Sequence, residues 1–223
     1  MKLNYKRTFF VGFAFLSICA FWELYDGIIP KMLEGTFGLG ETIVGAIMAI
    51  DNVLALFLLP LLGALSDKVN TRLGRRMPFI LGGTLVASVF ILMLPVAEHI
   101  RNFPLFITAL GIILFAMATY RSPAVALMPD VTPKPLRSKA NSVINLMGTL
   151  GGAYALVMTL LLYKDDGSIN LPVFISVVAI MLLSVIFLLL TINENKLRAQ
   201  VEEEEKAYLT VDREHDEDAS PSA

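Results

Sequence analysis

The sequence predicts an all-α membrane protein with six transmembrane helices and a disordered acidic C-terminal tail. Of its 223 residues, 56% are hydrophobic and only 17% are charged, and the mean hydropathy is +0.68. Soluble domains are nearer half apolar, with about a quarter of their residues charged. Apolar runs of roughly 20 residues, the length that spans a bilayer, recur along the chain. Much of the acidic charge lies beyond them, after residue 193.

Six apolar runs account for the predicted helices. The first run follows Lys2, Lys6 and Arg7, but it is too long, and too polar at its far end, for a signal peptide, and it has no small-residue cleavage pattern. We therefore expect it to be retained as the first helix. The six helices are predicted over residues 9–29, 43–65, 77–97, 103–128, 142–163 and 171–192.

Basic residues are distributed unevenly between the two sides of such a bundle. If both termini lie on one side, that side carries 14 Lys and Arg residues, and the other carries Lys31, Arg101 and Lys164. Because short loops rich in Lys and Arg stay in the cytoplasm, both termini are predicted to be cytoplasmic. We expect a multi-pass protein of the plasma (inner) membrane.

The fifth run contains small residues at helical spacing. Gly148 and Gly152 are four residues apart, and Gly151 lies beside them. Small residues at this spacing let two membrane helices approach closely. We interpret the three glycines as packing residues rather than as substrate contacts.

An abrupt change of composition divides the chain into a six-helix bundle, 1–193, and an acidic cytoplasmic tail or central-loop segment, 194–223. Glu202–Glu205 would extend a helix for a turn or two, and the rest is typical of a disordered segment. The net charge of −2 comes from this tail and gives no indication of a nucleic-acid partner.

The residues that usually hold metals or carry covalent chemistry are scarce. Cys19 is the only cysteine, and the two histidines, His99 and His215, are far apart in sequence. Neither a metal-ligand cluster nor a nucleophile with a base is visible. We therefore expect no metal, no cofactor and no enzymatic activity.

Four ionisable residues fall inside the predicted helices: Glu23, Asp26, Asp51 and Arg121. A charge at the bilayer centre costs about 2.5–3.5 kcal/mol on insertion scales, so such residues usually face a cavity or a partner. With a rise of about 1.5 Å per residue, Glu23 and Asp51 can lie at one level of the membrane. For Asp26, snorkelling to the interface is the alternative interpretation.

Helical spacing assigns these acids to faces of their helices. One stripe of the first helix carries Gly12, Cys19, Glu23 and Asp26 at spacings of seven, four and three. The second helix carries a comparable stripe of Asp51, Asn52 and Ala55. We predict a polar cavity between helices one and two, in which a carboxyl group whose ionised form is disfavoured by burial carries a proton.

The most specific motif is "GALSDKVNTRLGRRMPFI", residues 63–80. Asp67 lies at the C-terminal end of the second helix, where the helix dipole disfavours an acid, so it needs a basic partner. Three arginines and a glycine that permits a tight turn follow within nine residues: Arg72, Gly74, Arg75 and Arg76.

This motif resembles the loop between helices two and three of major facilitator transporters. The form "SDK…TRLGRRMPFI" is similar to that of plant-type sucrose–proton symporters and their animal relatives, and more distantly to that of glycoside–pentoside–hexuronide cation symporters. In that family the loop is a cytoplasmic latch between the two halves of the carrier. The resemblance assigns to this latch Gly63, Asp67, Arg72, Gly74, Arg75 and Arg76.

A second stretch, "RSPAVALMPDVTPKPLRSKAN" at residues 121–141, resembles the family's loop between helices four and five. Here Asp130 ends a helix and Arg137 follows it. An acid and an arginine so placed can lock and release as helices rock. We therefore add both residues to the predicted cytoplasmic gate.

The resemblance implies a secondary active transporter, represented by its N-terminal half, that couples symport of a sugar or glycoside to protons by alternating access. The implied substrate- and proton-binding residues are Glu23, Asp26, Asp51, Asn52 and Arg121. Arg121 would bind a hydroxylated or anionic cargo, pair with an inner acid, or snorkel. The paired aspartates that hold sodium in melibiose-type relatives correspond to Ala55 and Leu59 here, which favours a proton as the coupling ion.

The family has twelve helices in two six-helix halves. We therefore expect this chain to be a fragment of a longer carrier, or a half that pairs with another chain, with the lipid bilayer and a second six-helix half as its partners. The alternative is a non-transporting truncated membrane subunit that only pairs with a partner half. Six further helices encoded downstream would distinguish these possibilities.

Overall fold

The computed structural model describes residues 3–164 and 169–218, with side chains placed as far as residue 206. Within these ranges the chain forms helices joined by short loops. A 3₁₀ turn, Lys134–Leu136, precedes the fifth α-helix. The α-helices are α1 Tyr5–Gly35, α2 Glu41–Lys68, α3 Met77–His99, α4 Phe103–Asp130, α5 Arg137–Leu162, α6 Leu171–Thr191 and α7 Glu194–Asp218.

Helices α1 to α6 are each long and apolar enough to cross a membrane, which confirms the predicted six-helix architecture. The helices extend beyond their apolar runs because polar caps stabilise the ends. Asn4 Oδ1 accepts a hydrogen bond from the Arg7 N–H at 3.1 Å, and Asn102 Oδ1 accepts one from the Leu105 N–H at 3.1 Å. These contacts satisfy N–H groups that have no partner inside the first helical turn.

Helix α1 is central and packs along α5 through glycines. A Cβ added to Gly151 would collide with the Leu16 carbonyl, and one added to Gly148 would lie 2.9 Å from Cys19 Sγ. The packing role predicted for these two glycines is confirmed. Gly152 differs, because a Cβ there would lie 3.7 Å from the Glu23 carboxylate, an ordinary contact distance.

Helices α3, α4 and α6 complete the bundle: α3 packs against α4 and α6, and α2 packs against α4. The middle of the bundle is apolar except for a few buried hydroxyls, such as those of Ser17 and Ser184. The Tyr120 hydroxyl donates to the Ala14 carbonyl at 2.8 Å and contacts the Ser17 hydroxyl, so α4 is tied to α1 in the middle of the bundle.

The two ends of the bundle differ in composition. We call the end that carries residues 69–76, residues 131–136 and α7 the basic end, and the opposite one the far end. At the far end, Thr36 Oγ1 donates to Glu98 Oε1 at 2.8 Å. The Phe37 ring lies 5.3 Å from that of Phe103 and 5.1 Å from that of Phe106. The α1–α2 loop is therefore fastened to the start of α4.

The C-terminal segment begins with a helix, α7, which runs from Glu194 to Asp218. The sequence from 196 to 206 favours this helix because it is rich in strong helix formers. Asn193 Oδ1 caps the helix by accepting from the Lys196 N–H at 3.1 Å, and Val201 is buried against the bundle. Residues 219–223 lie outside the described residues, and the division at residue 193 stays a prediction.

Candidate functional site

The ionisable residues of the membrane-spanning helices line two neighbouring hollows, whose walls come from α1, α2, α4 and α5. The hollows are open at the surface of the bundle, so that Asp26 and Asn52 are exposed. The Asp51 hollow has a volume of about 430 Å³, and its polar lining consists of Asp26, Asp51, Asn52 and Arg121. The Glu23 hollow has a volume of about 650 Å³, and its polar lining consists of Cys19, Glu23, Asp26, Asn145 and Thr149. Trp22 and Asp26 line both.

In the Asp51 hollow, two acids, an amide and a guanidinium converge from α1, α2 and α4. Asn52 Nδ2 donates to Asp51 Oδ1 at 2.9 Å, which leaves the second carboxylate oxygen available. The Arg121 guanidinium lies over the Trp22 ring, 5.4 Å from its centroid, where the electron-rich face attracts a cation. Among the described residues, the ring of Trp22 rather than an inner acid is therefore the partner of Arg121.

The predicted cavity between helices one and two needs correction for Glu23. The stripe of Gly12, Cys19 and Glu23 faces α5 rather than α2, because the glycines of both helices form a close α1–α5 seam. Asp26, one turn further along, reaches the hollow shared with α2. The structure thus brings Asp26, Asp51, Asn52 and Arg121 together and places Glu23 in the adjacent hollow.

Trp22 is a residue of this site that the sequence interpretation missed. Its ring packs edge-on against Phe21 and Tyr25, with centroid distances of 5.1 Å and 5.3 Å. Both neighbours are buried, which fixes the indole between the hollows. The available signal is that Trp22 is the only tryptophan of the chain and precedes the intramembrane Glu23.

At the basic end, Arg76 joins two helix ends. Its guanidinium lies 2.6 Å from Asp67 Oδ1 at the end of α2 and 3.0 Å from Asp130 Oδ2 at the end of α4. It also donates to Ser66 Oγ at 2.5 Å and to the Gly63 carbonyl at 3.3 Å. The side chain of Arg76 is only 6% exposed, against 52% for Asp67 and 22% for Asp130. Of the three arginines that follow Asp67 in the motif, Arg76 is the one that pairs with its carboxylate.

The other predicted latch residues shape the turn between α2 and α3. Gly74 has a φ of +119°, which side chains rarely adopt. The Arg75 side chain donates to the Asp67 carbonyl at 3.4 Å, and the side chain of Arg72 is exposed. Asn195 Nδ2 donates to the Thr71 and Arg72 carbonyls at 3.1 Å and 3.4 Å, so the start of α7 holds this turn.

Glu194 is the second residue that the sequence interpretation missed. Its buried carboxylate accepts hydrogen bonds from the backbone N–H groups of Arg75, Arg76 and Met77, at distances between 2.9 Å and 3.3 Å. It therefore lies at the positive end of the α3 dipole. A Cβ on residue 74 would occupy the space that this carboxylate fills. Because many acids follow residue 193, the sequence alone did not distinguish Glu194 from the others.

The expected pairing of Asp130 with Arg137 is corrected by the structure. Asp130 binds Arg76, whereas Arg137 donates to the Thr132 carbonyl at 3.2 Å and to the Pro129 carbonyl at 2.9 Å. Those carbonyls end α4 and begin the following loop, and they lack helical partners. Arg137 thus closes the C-terminal end of α4, and the ion pair links α4 to the α2–α3 turn.

Several proteins similar to this chain are named as transporters. Proton-associated sugar transporter A of Mus musculus is 28% identical over 166 residues, which cover 62% of this chain and 22% of the relative. The Homo sapiens protein of that name is 29% identical, with 59% of this chain and 19% of the relative covered. Sucrose transport protein SUC3 of Arabidopsis thaliana is 26% identical, with 58% and 25% covered.

The chain spans about a fifth to a quarter of the length of these relatives. No solved structure matches it. The sequence profile of the Major Facilitator Superfamily, by contrast, matches residues 11–217, from the first helix into α7. That match agrees with the six membrane-spanning helices and with the arginine-bearing α2–α3 turn. The chain is an integral multi-pass membrane protein, and it belongs to the Major Facilitator Superfamily.

Proposed function

We propose that this chain supplies six helices of a carrier that moves a sugar or glycoside together with protons by alternating access. The observation that carries the proposal is the convergence of Asp26, Asp51 and Arg121 on one hollow between three membrane-spanning helices. Such residues are costly in a membrane and usually mark a substrate or ion pathway. We also propose that the chain lies in the plasma (inner) membrane, with its basic end in the cytoplasm.

The polar lining suits a hydroxylated solute. Carboxylates accept hydrogen bonds from hydroxyl groups, a guanidinium donates to them, and Asn52 and Asn145 do both. The names of the relatives support the same class, because they denote a sugar transporter and a sucrose transport protein.

A proton is the coupling ion that the lining favours. Sodium needs several oxygen ligands, and the two positions that correspond to the sodium-binding aspartates of melibiose-type relatives are Ala55 and Leu59, whose side chains offer none. Both line a small crevice beside Asp51 and Arg121. A carboxyl group needs no further ligand to bind a proton. We assign the coupled proton to one of Asp51, Glu23 and Asp26, in that order of preference.

Alternating access requires a contact that closes one side of the carrier and that forms and breaks once in each transport cycle. Arg76, Asp67 and Asp130, which we call the Arg76 cluster, are suited to this role, since they join the ends of α2 and α4 through charged hydrogen bonds. We propose that it stabilises the state that is closed at the basic end.

A second six-helix half is the partner that we propose. Helix α2 buries little of its apolar surface: Leu56 is 71% exposed, and on α5 Leu160 is 75% exposed. Together these helices flank the two hollows, so a partner seated on them would close the site. The same exposed faces also favour the alternative function, a non-transporting subunit that only pairs with a partner.

The test is uphill sugar uptake in sealed vesicles that contain the chain with its partner half, driven by a pH gradient. We compare Asp51→Asn, Glu23→Gln and Asp26→Asn with wild type, and use Glu34→Gln at the far end as the control. At least one of the three should exchange sugar down its gradient yet fail to accumulate it. Wild-type accumulation by all three would refute the proton assignment, and no sugar movement in wild type would favour the non-transporting subunit.

A further inference from the structure

We propose that Trp22 divides the inner site into two subsites, which are filled together only by a solute made of two linked polar rings. This inference rests on the proposed sugar transport and adds to it the size of the substrate and the residue that selects it. Trp22 is the side chain at the boundary, since it lines the Asp51 hollow and the Glu23 hollow alike.

Each hollow is large enough to be a separate subsite. Small-molecule pockets have volumes of about 300–1,000 Å³, and the two hollows measure about 430 Å³ and 650 Å³. Each also has its own set of polar groups, Asn52 with Arg121 on one side and Asn145 with Thr149 on the other. One sugar ring would satisfy one set and leave the other facing water.

The boundary itself is apolar and rigid. The edge-on contacts of Trp22 with Phe21 and Tyr25 hold the indole from one side, and the Arg121 guanidinium covers its face. Because Phe21 and Tyr25 are fully packed in the core, rotation of the indole would require their displacement. The polar hydroxyls of a two-ring glycoside would lie in the two hollows, and its less polar linkage would cross the indole.

Asp26 reinforces this geometry, because it is the one ionisable residue that lines both hollows. A glycoside that spans the boundary would contact it from either side. A proton on Asp26 would thus affect both rings, whereas a proton on Glu23 or Asp51 would affect one.

One residue of the chain can report whether a sugar occupies the Glu23 hollow. Cys19 is its only cysteine, and it lines the Glu23 hollow. We measure the affinity of radiolabelled sucrose and glucose, as two-ring and one-ring probes, for the carrier in detergent. In parallel we measure the rate at which N-ethylmaleimide alkylates Cys19 in the presence of each sugar.

Sucrose should bind at least about tenfold more tightly than glucose, which corresponds to ~1.4 kcal/mol, and should protect Cys19. Asn52→Ala and Asn145→Ala should each weaken sucrose binding, whereas glucose binding should respond to only one of them. Trp22→Ala should bring the affinity ratio close to one, and Trp22→Phe, which keeps an aromatic wall, should preserve most of it.

The outcomes separate the two proposals. Absence of binding by either sugar, with Cys19 unprotected, would contradict the proposed sugar transport itself. Equal affinities for sucrose and glucose, or a ratio that survives Trp22→Ala, would overturn the division by Trp22 while leaving sugar binding intact. Should Trp22→Ala fail to fold, the Asn52 and Asn145 variants decide: a glucose affinity that falls in both would also overturn it.

Discussion

The carboxylate of Glu194 accepts two hydrogen bonds from the backbone N–H of Arg76, at 2.9 Å and 3.2 Å. The acid comes from the start of α7 and the N–H from the start of α3, so residues more than a hundred positions apart complete one helix terminus. The same Arg76 uses its side chain to join α2 and α4. Arg76 therefore takes part in two contacts at the basic end. We call the bond of its N–H to Glu194 the anchor, and the ion pairs of its side chain with Asp67 and Asp130 the side-chain cross-link.

Removing the anchor should destabilise the bundle. Glu194→Ala removes the acceptor of three backbone N–H groups, and we expect a loss of at least about 1–3 kcal/mol, the cost of a single unsatisfied buried donor. Glu194→Gln keeps one acceptor oxygen and should lose less. Thermal unfolding in detergent measures both variants. Glu203→Ala, at an exposed position of the same helix, is the control, and an equal effect there would contradict a specific role.

Gly74→Ala tests the space that Glu194 occupies. At φ +119° a side chain is strained, and its Cβ would collide with the Glu194 carboxylate. Gly38→Ala is the matched control, because Gly38 has φ +66° with open space around it. We expect Gly74→Ala to cost about 1–3 kcal/mol, more than Gly38→Ala. The loss of stability caused by Gly74→Ala should be smaller in a protein that also carries Glu194→Ala. If the losses of the two single variants simply add in the double variant, the two residues do not interact.

The side-chain cross-link predicts a graded series. Arg76→Gln leaves Asp130 without its cation, and breaking a buried ion pair costs about 3–5 kcal/mol. Asp67→Asn should cost less than ~1 kcal/mol, because exposed pairs are weak and Asp67 is half-exposed. Asp130→Asn should lie between them. Arg72→Gln, at an exposed arginine of the same turn, should leave the unfolding temperature unchanged.

The same series distinguishes gating from stability. If the cluster closes the basic end, Asp67→Asn should increase the alkylation of cysteines introduced on the bundle-facing side of that end and slow transport, while insertion stays normal. The comparison is made against wild type at equal expression. Identical alkylation and identical transport rates would leave Arg76 with a structural role only.

Two adjacent glycines provide a test of the α1–α5 seam. Gly151→Ala should destabilise the bundle by about 1–3 kcal/mol, the usual cost of overpacking, because its Cβ would collide with the Leu16 carbonyl. Gly152→Ala should be tolerated, since its Cβ finds ordinary contact distances beside Glu23. Thermal unfolding of both variants is the measurement. A larger loss for Gly152→Ala would contradict the described seam.

The orientation of the bundle is open to direct labelling. In a Cys19→Ser background, cysteines at Arg72 and Lys139 should react with a membrane-impermeant reagent only from the cytoplasmic side. Cysteines at Arg101 and Lys164 should react from outside, because basic loops stay inside. External labelling of the cysteine at position 72 in sealed cells would reverse the proposed orientation.

Parts of this structure follow from local sequence, and those parts were predictable. An apolar run of bilayer length specifies a helix with little tertiary information, and Gly74 in an arginine-rich turn specifies a left-handed residue. The motif also identified Asp67 as an acid that pairs with Arg75 or Arg76, and the structure pairs it with Arg76. In each case the determining contacts lie within a few residues of the chain.

Other parts depend on which helices become neighbours, and the sequence does not state this. Asp130 lies seven residues before Arg137, yet its partner comes from the end of another loop. Glu23 shares a helix face with Cys19, but only the α1–α5 seam decides that this face meets α5. Trp22 gained its position from the packing of Phe21 and Tyr25. Periodicity identifies faces of helices and leaves their partners undetermined.

The tie between Thr36 and Glu98 at the far end has a mechanical consequence. This tie shares no residue with the contacts of Arg76 at the basic end, so it stays intact when those contacts break. In the transport cycle that we propose, α2 and α4 would separate at the basic end while the far end stays closed. The far end would then act as the hinge of the bundle.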